Sequence, residues 1–221
     1  YSIKTQLQGD IIFTKDEEPQ LSDFLKPFDM AFKSVVINIG THKDPIAGEK
    51  GELVLLFEPI VDAAAAQFAK RNDERTGAHS IVIPAAISNI STFTNMHIYN
   101  NGASSSIAEA ATKNHWNRNT KRGDGTIKRV SVLKASVIFD YIPEHVNIRL
   151  LKTDMQGFDF TAVSSVDPKQ LARVNLLKTE VYVDINQYVN TQNDFCEQWL
   201  PFMKRNGWRL ETLWSQCHFT T

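Results

Sequence analysis

The sequence has little of what would tie it to a disulfide framework, a membrane or a nucleic acid. It holds two cysteines in 221 residues, Cys196 and Cys217. That is too few for a disulfide scaffold or a thiolate metal site, so both are read as buried or idle thiols. No apolar run approaches the roughly 18 to 20 residues that a membrane-spanning helix needs, and the start, YSIKTQLQGD, has no signal-peptide pattern. The cytoplasm is therefore the expected compartment. Neither charge dominates: 24 Lys and Arg stand against 25 Asp and Glu, a formal net charge of -1. Such a balance offers no field for nucleic acid or a membrane surface. No repeat and no low-complexity segment occurs, and no shift in composition divides the chain, so one domain over residues 1–221 is expected.

What is there is an alternation of apolar strands and helices. A mixed, proline-punctuated segment over 1–33 carries a possible helix from Ser22 to Phe32, with Leu21, Phe24, Leu25 and Phe28 on one face, and is read as a lid or packing element. Ser34–Ile39 is a continuous apolar strand broken only by Asn38 and closed by Gly40, the pattern of a central parallel strand. Glu52–Phe57 repeats it and ends on Glu58-Pro59, before an alanine-rich helix from Val61 to Arg71. A third strand, Ser80–Pro84, completes the βαβαβ half of a doubly wound α/β fold.

From residue 91 to 135 the pattern changes to two strand-like pieces around a small-residue turn and a basic stretch, read as an insertion after the third strand. A short helix around Val137 to Tyr141 follows. The chain returns to the sheet at Asn147–Lys152, continues with a strand at Lys178–Ile185 and a helix from Asn193 to Arg205 capped by Gly207, and ends in a hairpin.

The run Arg149 to Phe160, RLLKTDMQGFDF, puts a polar cluster at the tip of a buried strand and then a glycine that turns the chain toward a helix. In open α/β sheets ligands sit beyond such carboxyl ends. A dinucleotide would need GxGxxG after the first strand, so that the backbone can approach its pyrophosphate. The turn here, GTHKDPIAG, has no second glycine two residues on. S-adenosylmethionine (SAM) carries no phosphate and can manage with one close-approach glycine, Gly40, and an acid at the second strand end, Glu58. An NAD-dependent enzyme with an atypical loop stays as an alternative.

In chain order the sequence has NIGTHKD from Asn38, FEP at Phe57 to Pro59, AAIS at Ala85 to Ser88, SSS at Ser104 to Ser106 and LKTDMQGFD from Leu151 to Asp159. These resemble the landmarks of the FkbM family of SAM-dependent methyltransferases, over about Ser34 to Trp214. The resemblance implies a class I, Rossmann-like fold with a mostly parallel seven-stranded sheet, SAM as cofactor, and methyl transfer to a hydroxyl of a small molecule or sugar-like acceptor. It implies a cofactor set of Asn38, Gly40, Thr41, Glu58, Pro59, Ile87, Ser88 and Asp154. Asn38 stands where the family has an acid, Asp44 or its neighbours where it has a second glycine, and Gln156 where it commonly has Glu. A reshaped cofactor loop is therefore expected, with a non-catalytic binding module as a further alternative.

Asp154, Gln156 and His42 are the candidate catalytic residues: a carboxylate at the strand tip, a neighbouring amide that can position substrate, and an imidazole able to titrate near neutrality. His115 is a second candidate base. Plainer uses stand beside these: Asp154 as a helix cap, Gln156 on loop backbone, and Glu58 as a partner of the helix dipole. Lys152 is read as pointing away from the cluster, a structural partner for a neighbouring carboxylate. Asp184 and Asn186 with Trp116 are expected to contact the acceptor, Trp116 by stacking on a ring. Asp154, Asp184 and Asn186 resemble an oxygen-ligand set for Mg²⁺, but their spacing is not the adjacent pair such sites use, and no metal is assigned. The basic stretch of Lys113, Arg118, Lys121, Arg122, Lys128 and Arg129 is read as a solvated loop, or one that meets an anionic or sugar-like acceptor.

Overall fold

The computed structural model describes residues 19–21, 32–43, 45–70, 76–99, 102–109, 126–182 and 188–210. The helix expected from Ser22 up to residue 31, Asp44, the basic stretch from Lys113 to Arg122 with His115 and Trp116, Asp184 with Asn186, and the chain after residue 210 lie outside the described residues; Lys128 and Arg129 of that stretch lie in the strand Ile127–Lys134, Lys128 at 3.5 Å from Asp62 and Arg129 over the Phe93 ring. The elements run β1 (Ser34–Ile39), β2 (Glu52–Phe57), α1 (Val61–Lys70), β3 (His79–Ile83), β4 (Ala86–Ser88), β5 (Thr92–His97) and β6 (Ile127–Lys134). They continue as α2 (Ala135–Tyr141), β7 (Ile148–Thr153), α3 (Asp159–Val163), α4 (Pro168–Leu171), β8 (Val174–Thr179) and α5 (Leu200–Arg205).

β1 and β2 are buried along their whole length. Both faces are covered, which is why they read as unbroken apolar runs. Val35, Ile37, Leu53, Leu55 and Phe57 pack on one face with Ile138, Phe139, Leu171 and Trp199. Val36, Val54, Leu56 and Leu150 pack on the other. Each such fully buried side chain contributes about 1.5–3 kcal/mol. α1 starts with Asp62 in its first turn and buries Ala63, Ala64 and Gln67; its run of alanines favours helix and lets it lie close.

Five strands form a parallel sheet in the order β3-β2-β1-β7-β8. The chain builds outward from β1 to β3 and then returns to the other side of β1. The order therefore reverses between β1 and β7, where Ile39 lies opposite Thr153, and such a reversal leaves a crevice beyond the carboxyl ends of the two strands.

Several expectations change. Instead of one seven-stranded sheet, the described residues form the five-stranded sheet and a separate three-stranded one, β4-β6-β5, in which β4 is parallel and β5 antiparallel to β6. The AAIS motif is thus largely a strand of that second sheet. The strand expected over Lys178–Ile185 lies at Val174–Thr179, because its register is fixed by β7: Ile148 pairs with Val174 and Thr153 with Thr179. The richer β-former run KTEVYV misplaced it, since β8 exposes much of its length, Leu176 included. The helix expected from Asn193 opens as a π-helical turn over Phe195–Trp199 and becomes α-helical only at Leu200. Pro201 supplies no N–H to continue the ladder there. Cys196 is disulfide-bonded rather than an idle thiol.

At the amino ends of the central strands, Glu52 binds three elements together. Its carboxylate accepts from Ser34 Oγ at 2.7 Å, from Arg149 Nε and a terminal guanidinium nitrogen at 2.6 and 2.8 Å, and from the Glu49 amide at 2.7 Å. Burial alone would raise this carboxyl; the four donors outweigh it and hold it at about 2. Its folded-state pKa is depressed, so its stabilisation is present above the unfolded value near 4.5 and is lost as pH falls through about 2. Arg149→Met should cost about 2–3 kcal/mol at pH 7 in urea denaturation, since it leaves a buried carboxylate short of donors; the loss should shrink toward pH 2.

Candidate functional site

A cavity of about 320 Å³ opens beyond the carboxyl ends of β1, β2 and β7, its wall completed by the second sheet. The loop after β1 supplies Gly40, Thr41 and His42; the end of β2 supplies Glu58, Pro59 and Ile60. Ala86, Ile87, Met96, Gly102, Ser105 and Ile107 come from the second sheet and its turn, and Lys152, Asp154, Met155, Gln156 and Phe158 from the end of β7.

Gly40 has φ +69°. A Cβ placed there would come within 1.9 Å of the Asp154 carbonyl oxygen. The sequence reading gave this glycine to the approach of a ligand; the backbone that comes close is the protein's own. Asp154 N donates to the Ile39 carbonyl at 3.1 Å, and Gly40 N to the Phe57 carbonyl at 2.9 Å, so the ends of three strands meet here. His42, also in the left-handed region with φ +48°, donates its N–H to Glu58 at 2.7 Å, and its carbonyl accepts from Gln67 of α1. Its ring lies against Gly102, whose Cβ would stand 3.3 Å from Nε2.

Glu58 is 4% exposed. One carboxylate oxygen accepts from His42 N and the other from Ile60 N at 2.9 Å, just ahead of α1. It is therefore both a cavity wall group and a partner of the helix start. Burial pushes it up to about 7, against the pull of the two amides, and the charge of Asp154 adds to the rise.

Asp154 does not cap the following helix. Its Oδ1 accepts from Gln156 Nε2 at 2.6 Å, and its Oδ2 lies 3.5 Å from Lys152 Nζ. Lys152 and Asp154, two apart at a strand end, lie on the same side. Lys152 is thus the carboxylate partner the sequence suggested, but it points into the cavity wall rather than away. The group at the start of α3 is Asp159, fully buried, with both oxygens accepting from Met155 N at 3.1 and 3.2 Å. Burial raises it to about 7, opposed by bonds from Thr153 and Met155. Gln156 bonds more than loop backbone: its Nε2 reaches Glu180 at 3.4 Å as well as Asp154, and its Oε1 accepts from Tyr188 at 2.8 Å.

Two predicted cofactor residues stand behind the wall. Asn38 is fully buried on the Val36 side of β1, and neither polar atom of its amide has a hydrogen-bond partner among the described residues. Ser88 is buried in β4 and donates to Asn89 Oδ1 at 3.3 Å. Gly40, Thr41, His42, Glu58, Pro59, Ile87, Asp154 and Gln156 do meet around the cavity, while Asp184, Asn186 and Trp116 lie outside the described residues. Sequence reasoning passed over Met96, Ser105 and Phe158 in the wall and Glu180 and Tyr188 behind it. Of these Ser105, within the serine run, and Phe158, within LKTDMQGFD, carried a signal.

The group the arrangement can take is tested by Thr41. Thr41 lines the wall, is 3% exposed, and its hydroxyl has no hydrogen-bond partner among the described residues. A buried hydroxyl left unbonded costs about 1–3 kcal/mol, so a polar ligand reaching it gains a bond the protein leaves unmade. An acid at the end of β2 and apolar Pro59 and Ile87 beside it give the wall both a polar and an apolar face. A family model described as "Methyltransferase FkbM domain" matches residues 35–210. Neither the curated proteins nor the solved structures give a match.

Gly40→Ala should lose about 3 kcal/mol or more, from left-handed strain and the clash with the Asp154 carbonyl. Urea denaturation checks it; a change below about 0.5 kcal/mol would show that the two loops are not packed as described.

Proposed function

The chain belongs to the FkbM methyltransferase family, and we propose that it is a SAM-dependent methyltransferase acting on a hydroxyl of a small-molecule or sugar-like acceptor. The observation that carries this reading is the cavity at the strand-order reversal, with Glu58 at the end of β2 and the unbonded Thr41 hydroxyl in one wall. SAM supplies an electrophilic methyl group; the rest is alignment. Methyl transfer is an in-line displacement, so the protein gains most by holding donor and nucleophile at near-attack distance in a dry site.

Glu58 accepts from the ribose hydroxyls, with Pro59 and Ile87 flanking the adenine. Gly40 and Thr41 face the amino-acid tail, and Asp154 holds the tail's amino group or orients the acceptor hydroxyl. His42 is the candidate base for the acceptor proton, and Gln156 steadies the acceptor end. Asn38 and Ser88 support the wall from behind. Asp184, Asn186 and Trp116 remain the proposed acceptor contacts. No helix among the described residues is long and apolar enough to cross a membrane.

Titration calorimetry with SAM, its demethylated product and NAD separates the readings: the first two should bind and NAD should not. Absence of SAM binding overturns the proposal, and NAD binding favours the alternative. The Glu58 carboxyl is held near 7 by burial, and a ribose hydroxyl donates more strongly to the ionised form. Affinity for the demethylated product should therefore rise, by up to about tenfold, as pH goes from 6 to 8. Glu58→Gln should weaken binding and flatten that profile; a steep profile retained in the variant removes Glu58 from the role. Asp154→Ala should abolish turnover with the fold intact, and unchanged turnover takes it off the catalytic list.

A further inference from the structure

Behind the cavity wall, a hydroxyl outside the set assigned above bonds the Gln156 side chain. Tyr188 is 2% exposed. The single proton of its Oη is shared between two acceptors, Gln156 Oε1 and the Ser104 carbonyl, each at 2.8 Å. Its ring packs on the turn after β7: a Cβ on Gly157 would stand 3.2 Å from Tyr188 Cδ2. The backbone of that turn is pinned separately, since the Gln156 carbonyl accepts from Ser106 Oγ at 2.9 Å.

Gln156 is therefore fixed at both ends, and the orientation of its carboxamide matters. With the carbonyl oxygen toward the Tyr188 hydroxyl, the NH₂ group points at two carboxylates, Asp154 at 2.6 Å and Glu180 at 3.4 Å. An amide has two N–H donors and one carbonyl, which complements two acids and one hydroxyl. Turned over, the carbonyl would face the Asp154 carboxylate with no proton between them, and the 2.6 Å hydrogen bond would become a repulsion. Among the described residues the Asp154 carboxylate has one other side-chain partner, Lys152 at 3.5 Å. Whatever holds Gln156 thus sets where the Asp154 carboxylate points.

We propose that Tyr188 is a positioning residue for the Asp154 carboxylate, acting through the Gln156 carboxamide while tying the Ser104 turn to the same point. The role is built on the donor-binding reading of the cavity, but the hydrogen-bond chain can be tested without any ligand. Tyr188→Phe removes one oxygen and keeps the ring that packs on Gly157.

Two measurements decide it. By NMR, the side-chain NH₂ protons of Gln156 should exchange with solvent at least about fivefold faster in Y188F than in the wild type, since a net hydrogen bond of ordinary strength is lost. Unchanged exchange overturns the proposal whether or not a donor binds. In calorimetry with the demethylated donor product, Y188F should weaken binding about five- to tenfold, and the same change should cost clearly less in a Q156A background, where only the Ser104 link is left for it to remove. Additive losses in the double variant overturn the positioning role and leave Tyr188 a packing residue. If the wild type binds neither SAM nor its product, the functional reading fails, and the Tyr188–Gln156 link still stands or falls on the exchange rates.

Discussion

The loop after β1 and the turn after β7 lie so close that no side chain fits between them at Gly40. This contact sits where the strand order reverses, and the rest of the site follows from it. Asp154 is held on the Ile39 carbonyl, which brings the β7 tip against the loop that carries Thr41 and His42. That loop in turn is hung on Glu58 through the His42 amide. One missing Cβ thus lets three strand ends converge on a single cavity, while the Glu52–Arg149–Ser34 cluster ties the same three strands at their far ends.

Convergence has an electrostatic cost. Glu58, Asp159 and Glu180 all lie near Asp154, and burial raises each of them, Glu180 to about 8. The fold meets this with neutral donors: backbone amides at Glu58 and Asp159, and the Gln156 carboxamide between Asp154 and Glu180. Amide donors at Glu58, Asp159 and Glu180 leave these three able to change protonation near neutral pH, where a cation bonded to each would hold it ionised.

The central strands were legible because burial on both faces writes a continuous apolar run, and Ser34–Ile39 and Glu52–Phe57 carry little else. Gly40, Glu58 and Asp154 were legible because strand tips followed by polar residues mark the ligand edge of such sheets. The second sheet was not: β4 is three residues long and its partner β6 lies over forty residues on, so its pairing has no local signature. β8 was misplaced because an edge strand need not be apolar, whereas the run after it happens to be. Tyr188 and Glu180 escaped notice for a related reason. Their importance lies in contacts with Gln156, from 24 to 32 residues away in the chain, and no spacing within one segment encodes that.

A crystal structure of the chain with the demethylated product of SAM bound tests the central claim most directly. The expected result is the ligand in this cavity, ribose hydroxyls on the Glu58 carboxylate and the amino-acid end between Thr41 and Asp154. A product bound elsewhere, or seated here with Glu58 still bonded only to its two backbone amides, would contradict it.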